Sequence, residues 1–359
     1  MKVALVHDWL NQIGGAEDVL ATLVAMFPTS PIFTSIYAPE IMPPFYREWD
    51  IRTLWMDKLP GIHTHHQPYL PLYPVAWGGK KITGYDVILS NKSGFCHGVR
   101  HEGIHICYCL APTRYVWQLD AYIAREGISK AQELALRPMV AVMKGWDYRA
   151  AQRVDHFIAI STEIQARIKT YYDRDSVIIY PPVEVERFAA PQVEPEDYFL
   201  VVSRLIPYKR IDLAVQAATR LNLPLKVGGK GRDLERLQAM AGPTVEFLGY
   251  VPDEALPELM AKCKAFIFPG LEDFGITPVQ AQAAGRPVIA YGGGGALDTV
   301  IPGKTGEHFH EMTVESLLDV MGRFDASAYD PAVMRAHART FDVSVFQQQL
   351  TAYIENIVK

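Results

Sequence analysis

Between Ala265 and Pro287 the chain changes texture in a sequence that few architectures accommodate. The apolar run Ala265–Phe268 reads as a buried strand, Leu271–Ile276 as a loop, and the stretch from Thr277 to Gly285 as a helix. Thr277 is placed to cap that helix and Pro278 to take its first position. Gln280, three residues after Thr277, has the spacing of a capping box, and Gly285 before Arg286-Pro287 marks the stop. A strand whose C-terminal end feeds a loop and then a helix is the repeating unit of parallel α/β sheets, which bind ligands at such loops. Unpaired N–H groups in the first helical turn favour an anion or a hydroxyl-rich ligand, and the carboxylate of Glu272 sits in the same loop.

The unit recurs along the chain. Lys2–His7 reads as a strand, followed by a loop with Gly14-Gly15 and an amphipathic helix to about Phe27. Further strands are expected at Tyr85–Ser90, His105–Leu110 and Asp155–Ser161. Pro181-Pro182 is stiff and cannot continue a helix. The pattern then restarts with Tyr198–Ser203, Leu225–Gly228, Val245–Val251 and Val288–Tyr291, and Val343–Val358 reads as a closing amphipathic helix. With 359 residues, 49% of them hydrophobic, this is an α/β chain of two domains, spanning 1–182 and 183–339. A net charge of −5 leaves no nucleic-acid footprint. No Gly-x-Gly-x-x-Gly follows the first strand, which argues against a dehydrogenase. The glycine-rich turn Gly228-Gly229-Lys230-Gly231 lacks the Walker pattern. The four cysteines, Cys96, Cys107, Cys109 and Cys263, read as small buried hydrophobes of a reducing compartment. Met1–His7 reads as a strand and not a signal peptide, and no apolar run reaches the roughly 18 residues of a membrane span.

Charge chemistry gathers at the strand ends. Arg204 and Lys209 lie between a strand's end and the next helix, where two cations suit a diphosphate; each charge-assisted bond contributes roughly 1.5–3 kcal/mol. Lys92 and His97 follow another strand and are acceptor-side candidates, with turn chemistry as the alternative. Residues 39–82 are rich in proline and carry Trp49, Trp55, Tyr69, Tyr73 and Trp77. They suit either a sugar-stacking or membrane-facing surface, or a loop segment anchored by its aromatics. His63, His65 and His66 read as solvated loop histidines without metal partners.

The string Glu-Asp-Phe-Gly-Ile-x-Pro-x-x-x-Gln, Glu272 to Gln280 with its flanks, resembles the Glu-x7-Glu signature of retaining glycosyltransferases of family 4. So do His-Asp-Trp-Leu…Gly-Gly-Ala-Glu near the N-terminus, Tyr-Pro-Pro-Val at 180–183 and Ser-Arg-Leu…Lys-Arg-x-Asp at 203–212. The resemblance covers nearly the whole chain and is strongest to the polysaccharide and O-antigen mannosyltransferases. It implies a GT-B fold, two Rossmann-like domains facing a central cleft, with the helix 340–359 crossing back onto the first domain. It implies that Gly14 and Gly15 lie against the donor diphosphate and the acceptor, with Asp8 and Arg114 on the acceptor side. Arg204 and Lys209 would clamp the diphosphate, and Glu272 with the N–H groups of Phe274, Gly275 and Ile276 would hold the sugar. Gly229, Tyr250, Val251 and Asp253 would meet the nucleoside, Asp253 reading a guanine edge. The donor implied is GDP-mannose, with a UDP-sugar second; neither a cofactor nor a metal is required. The setting implied is cytoplasmic, on a glycan or lipid-linked glycan acceptor at the inner membrane face.

Departures from the family pattern fall at the site itself. Leu110 and Ala111 stand where the family has His-Thr before its Pro-x-Arg-Tyr-x-Trp, here Pro112, Arg114, Tyr115 and Trp117. Gln280 replaces the second Glu and has three readings: a ribose-binding amide, a helix cap, or a substitution that slows turnover. Two rivals therefore stay open, a non-catalytic binding protein with an eroded site and a nucleotide-sugar epimerase on the same fold.

Overall fold

The computed structural model describes residues 1–120, 123, 130–190 and 193–358. Residues 121, 122, 124–129, 191, 192 and 359, which fall inside the domain spans and the C-terminal helix read from the sequence, lie outside the described residues. The chain divides into two compact units, Met1–Tyr180 with Leu350–Lys359, and Pro181–Gln349.

The strands of the first unit are β1 (Val3–His7), β2 (Ile32–Thr34), β3 (Ile51–Thr53), β4 (Lys81–Ile82), β5 (Val87–Lys92), β6 (Arg100–His101), β7 (Ile104–Cys109), β8 (His156–Ala159) and β9 (Ser176–Ile178). Seven form one sheet in the order β3-β2-β1-β5-β7-β8-β9, every pair parallel; β4 and β6 make a separate two-stranded pair. Every residue of β1 and of β5 is buried, as expected for central parallel strands covered on both faces. The three-residue strands β2 and β3 carry no legible signal of their own. From β1 the chain winds outward to β2 and β3, then returns to β5 on the other side, so the order reverses between β1 and β5. The aromatic stretch folds into 3₁₀ turns and the helix Tyr73–Gly79, with Tyr73 and Trp77 fully buried. These rings anchor the segment to the core, while Trp55 remains half exposed. The histidines correct the sequence reading in part. His65 is exposed, but His66 is buried against the Tyr73 hydroxyl, and His63 lies between Asp57 and Glu40.

The second unit contains β10 (Phe199–Val202), β11 (Leu225–Gly228), β12 (Val245–Gly249), β13 (Ala265–Phe268), β14 (Val288–Tyr291) and β15 (Gly306–Phe309). They form one parallel sheet in the order β12-β11-β10-β13-β14-β15, reversing between β10 and β13. The helix Ile211–Leu221 covers one face. Its buried stripe includes Ile211, Leu213, Val215 and three alanines, Ala214, Ala217 and Ala218, whose small side chains let it lie close to its neighbours. Fully burying a side chain such as Ile211 or Leu213 contributes about 1.5–3 kcal/mol. All four cysteines are buried and unpaired. Among the described residues no helix is long and apolar enough to cross a membrane.

Candidate functional site

In an open parallel sheet the crevice for a ligand opens where the strand order reverses, because loops from the two flanking strands leave in opposite directions. In the second unit that point lies between β10 and β13, and both conspicuous sequence motifs emerge there. The loop after β10 carries Arg204 and Lys209; the loop after β13 carries Glu272. Lys209 and Glu272, on different strand ends, form an ion pair, with side chains 17% and 15% exposed. Arg204 is exposed and donates to the Tyr208 hydroxyl at 3.3 Å.

Lys209 ends a 3₁₀ turn, Pro207–Lys209, and the next residue, Arg210, is left-handed at φ 54. A non-glycine residue there costs roughly 1–2 kcal/mol. The strain is offset by the Arg210 guanidinium, which folds back to donate to Asp212 at 3.1 Å and to the Met312 carbonyl at 3.3 Å. Arg210 is therefore a structural brace in a string whose sequence suggests one long cationic clamp.

The helix after β13 begins two residues earlier than its sequence suggests. It spans Ile276–Ala283 with Gly275 at the cap position, φ 94, and no side-chain cap. Thr277 is inside the first turn, so the Thr277–Gln280 capping box does not form and Gln280 is no cap. Gln280 is half-buried. The backbone of Glu272–Phe274 is pinned by the glycine loop 292–295: Gly295 N–H donates to the Glu272 carbonyl at 2.9 Å. A Cβ on Gly295 would lie 2.2 Å from Phe274 Cα, and one on Gly294 2.2 Å from Glu272 O. Close backbone approach is thus what the glycine run supplies.

The turn after β11 closes the site's other wall. Gly229 has φ 135 and donates to Gly249 O at 2.6 Å, and a Cβ on it would lie 1.8 Å from Ser203 O. Gly229→Ala is expected to destabilise the second unit by about 2 kcal/mol from backbone strain alone, lowering its unfolding midpoint by roughly 4–8 °C. Differential scanning calorimetry would read this; an unchanged midpoint would mean the turn relaxes at no cost. Tyr250 is 64% exposed with Lys230 Nζ 5.6 Å from its ring centroid. Val251 is half-buried beside Gly228, and Asp253 is exposed at the head of a 3₁₀ turn.

In the first unit the order reverses between β1 and β5, and the loops there are those of Asp8, Gly14-Gly15 and Lys92. Gly14 and Gly15 are exposed, and Gly14 caps the helix Gly15–Met26 in an extended conformation. Asp8, Lys92 and His97, expected to face an acceptor, are instead buried. Asp8 accepts four backbone N–H bonds: from Ser93 at 2.7 Å and Gly94 at 2.6 Å on Oδ2, and from Phe95 at 2.6 Å and Cys96 at 2.7 Å on Oδ1. It thereby ties the end of β1 to the turn after β5. Lys92 donates to the Ala111 carbonyl at 2.9 Å. Burial would drive its ammonium down, yet Cys109 and Asp147 nearby hold it above its ordinary value. Burial first, then the Lys92 charge, push His97 well below the usual imidazole range, so it is neutral. These polar groups face inward because β5 is a central strand with loops packed over its end. Arg114, half-buried at the head of a short helix, keeps partial solvent access.

Sequence reasoning missed the centre of this network. Asp147, buried in the helix Lys130–Ala151, accepts from Trp117 Nε1 and from the Tyr172 hydroxyl, both at 2.7 Å, and lies 2.8 Å from the Thr113 hydroxyl. Nothing near Asp147 in sequence marks it, because its partners come from distant segments. Among the described residues no group of three or more His, Cys, Asp or Glu side chains is placed to hold a metal ion.

Comparison with known proteins agrees with the motifs of the second unit. Residues 182–339 match the family model described as Glycosyl transferases group 1. Over 164 residues the chain is 31% identical to the GDP-mannose-dependent alpha-(1-6)-phosphatidylinositol monomannoside mannosyltransferase of Mycolicibacterium smegmatis, covering 41% of this chain and 43% of that protein. This chain thus spans less than half the length of that curated relative. Over 311 residues it is 27% identical to the D-inositol 3-phosphate glycosyltransferase of Streptomyces scabiei, covering 74% of this chain and 67% of that one. Anabaena HepE in complex with UDP superposes with a TM-score of 0.71 at 17% identity, covering 99% of this chain and 100% of that one. The family match is thus confined to residues 182–339, and the α/β fold is of the GT-B kind.

Proposed function

We propose that the chain is a retaining glycosyltransferase that moves mannose from GDP-mannose to a glycan or lipid-linked glycan acceptor. The observation that supports this most is the Lys209–Glu272 pair at the strand-order reversal of the unit that matches the Glycosyl transferases group 1 model. A diphosphate arriving there competes with Glu272 for Lys209. Lys209 and Arg204 then neutralise the charge that develops on the leaving phosphate as the glycosidic bond breaks, the kind of stabilisation that dominates many catalysed reactions. Glu272, released, accepts hydrogen bonds from sugar hydroxyls, joined by the N–H groups of Phe274, Gly275 and Ile276. The acceptor hydroxyl attacks the face from which the phosphate departs. Its oxygen bonds to the anomeric carbon, its proton passes to the departing phosphate, and configuration is retained.

Gly229, Tyr250, Val251 and Asp253 receive the nucleoside in this scheme, and Gln280 the ribose. Gly14, Gly15 and Arg114 remain the first unit's candidates for donor and acceptor; Asp8, Lys92 and His97 hold its framework. Mannose and guanine are favoured by the GDP-mannose dependence of the M. smegmatis relative, and a UDP-sugar is second through the HepE complex. Calorimetric titration with GDP-mannose, GDP, UDP-glucose, UDP and NAD tests the donor site. Tight binding within one nucleotide family is expected; a folded protein that binds none would leave the likeness as one of fold only. Turnover that needs an acceptor separates a transferase from an epimerase.

Gln280 gives a second, finer test. If its amide meets the ribose, Gln280→Glu is expected to strengthen donor binding by about 1 kcal/mol, roughly fivefold, because a carboxylate accepts the hydroxyl proton more strongly. Unchanged or weaker binding in that variant would remove Gln280 from the donor site.

A further inference from the structure

We propose that Asp147 is a positioning residue of the transfer reaction: from the core of the first unit its carboxylate fixes the short helix Arg114–Trp117 and so aims Arg114 at the acceptor. This role rests on the transferase reading above and adds to it a fully buried residue. Four residues are too few to hold a helix by themselves, because nucleation costs more than one turn of hydrogen bonds returns. This helix has no side-chain cap either. Thr113 stands at the cap position, yet its hydroxyl is spent elsewhere: Oγ1 lies 2.6 Å from the Gly94 carbonyl and 2.8 Å from Asp147 Oδ1. At the other end, the Trp117 indole donates to Asp147 Oδ2 at 2.7 Å. One carboxylate thus takes both ends of the helix, one oxygen each, with Arg114 between them. Arg114 is the one charged residue from Leu110 to Gln118, so its aim decides what polar recognition this segment provides.

The clamp is braced from behind. The Tyr172 hydroxyl donates to Asp147 Oδ2 at 2.7 Å. Lys92 Nζ reaches the Ala111 carbonyl at 2.9 Å and the Thr113 hydroxyl at 3.3 Å, so the approach to the helix is held as well. The Trp117 ring stacks on Tyr171, centroids 4.8 Å apart and planes 13° from parallel, with Lys144 Nζ 4.5 Å from its centroid. A buried charge is costly, and well-packed apolar side chains often serve stability as well. What a carboxylate adds is a set of strong acceptor directions fixed in space. Two of the three side chains that converge on this one, Thr113 and Trp117, bracket Arg114. The segment also leaves the sheet at a ligand-binding edge: β7 runs parallel to β5, so residues 111–117 emerge on the same side as the loops of Asp8 and Gly14-Gly15.

Removing the carboxylate outright would also empty a buried site, so the informative comparison is between its donors. Trp117→Phe and Tyr172→Phe each delete one 2.7 Å bond to the same oxygen and keep an aromatic ring. A role confined to stability predicts like effects. Positioning predicts a split, read with GDP-mannose as donor and methyl α-D-mannopyranoside as acceptor. Trp117→Phe should raise the acceptor KM about tenfold, part of the roughly 100-fold that a 1 Å misplacement costs. Its kcat and its calorimetric affinity for GDP should match those of the unsubstituted chain, and Tyr172→Phe should leave all three unchanged. Asp147→Asn should keep the original KM: its amide oxygen faces Trp117 and Tyr172 while its NH₂ donates to Thr113, whose own proton goes to Gly94. Hydrogen–deuterium exchange reads the clamp without turnover. The amides of Val116 and Trp117, each bonded to the Thr113 carbonyl at 3.0 Å, should exchange faster in Trp117→Phe than in Tyr172→Phe. Equal effects of the two variants on KM or on exchange overturn the proposal. An unsubstituted chain that releases no GDP ends the transferase reading and the claim on the reaction with it, while the exchange result still judges the clamp.

Discussion

Lys209→Ala is expected to weaken nucleoside diphosphate binding by roughly ten- to a hundredfold and to lower turnover further. One charge-assisted bond to a phosphate contributes about 1.5–3 kcal/mol to ground-state binding. Removing a group that meets developing charge costs about 100- to 1,000-fold in rate. The variant also leaves Glu272, only 15% exposed, without its cation, so an incoming diphosphate meets an uncompensated carboxylate. Glu272→Gln is the informative partner. It frees Lys209, so affinity for the bare diphosphate should hold or rise while affinity for the sugar nucleotide falls. The double variant then measures the coupling between the two side chains. Calorimetry with GDP and with GDP-mannose reads all three. Unchanged diphosphate affinity in Lys209→Ala would remove the clamp from this account.

Asp8→Ala is expected to unfold the first unit near body temperature. Its carboxylate satisfies three buried backbone N–H groups and the half-buried one of Ser93 at 2.6–2.7 Å, and alanine offers none of them a partner. An orphaned buried donor costs about 1–3 kcal/mol, so the three buried ones amount to at least ~3 kcal/mol, a large part of a typical domain's net stability. A Cβ on Gly94 would lie 2.7 Å from the Trp9 ring and 2.9 Å from Asp8 Oδ1, so little room exists for water to substitute. Urea unfolding followed by tryptophan fluorescence would show the loss. A change below about 1 kcal/mol would mean that the turn after β5 finds other partners. The second unit's nucleotide binding should survive, which separates this effect from that of Lys209→Ala.

The two variants also mark how much the sequence disclosed. β13, β11 and β14 lie within a residue of their expected spans because apolar runs bounded by glycine and proline leave few alternatives. The loop carrying Glu272 was legible for the same reason, and the Lys209–Glu272 encounter follows from where such loops emerge in a parallel sheet. The start of the next helix was not legible, because Gly275 caps it through backbone conformation while Thr277 offers a better side chain two residues too late. Polar residues at the end of β5 suggested a ligand-facing set. Burial turned them inward, and what decides burial is the covering of loops and the helix Lys130–Ala151, which local sequence does not encode. Asp147 shows the limit most clearly: its three side-chain partners are 25 to 34 residues away and converge only in the folded unit.

The first unit is made of two pieces of chain, Met1–Tyr180 and Leu350–Lys359, with the whole of Pro181–Gln349 between them. On the ribosome, the segment that completes the first unit emerges only after the second has been synthesised, some ten seconds or more later at about 5–20 residues per second. The second unit, continuous in sequence, can fold as soon as it clears the exit tunnel. The first must wait with one edge of its apolar packing open, Ile354 among the buried side chains still to arrive. Expression of this chain should therefore depend on chaperone capacity during that interval more than on the final stability of either unit.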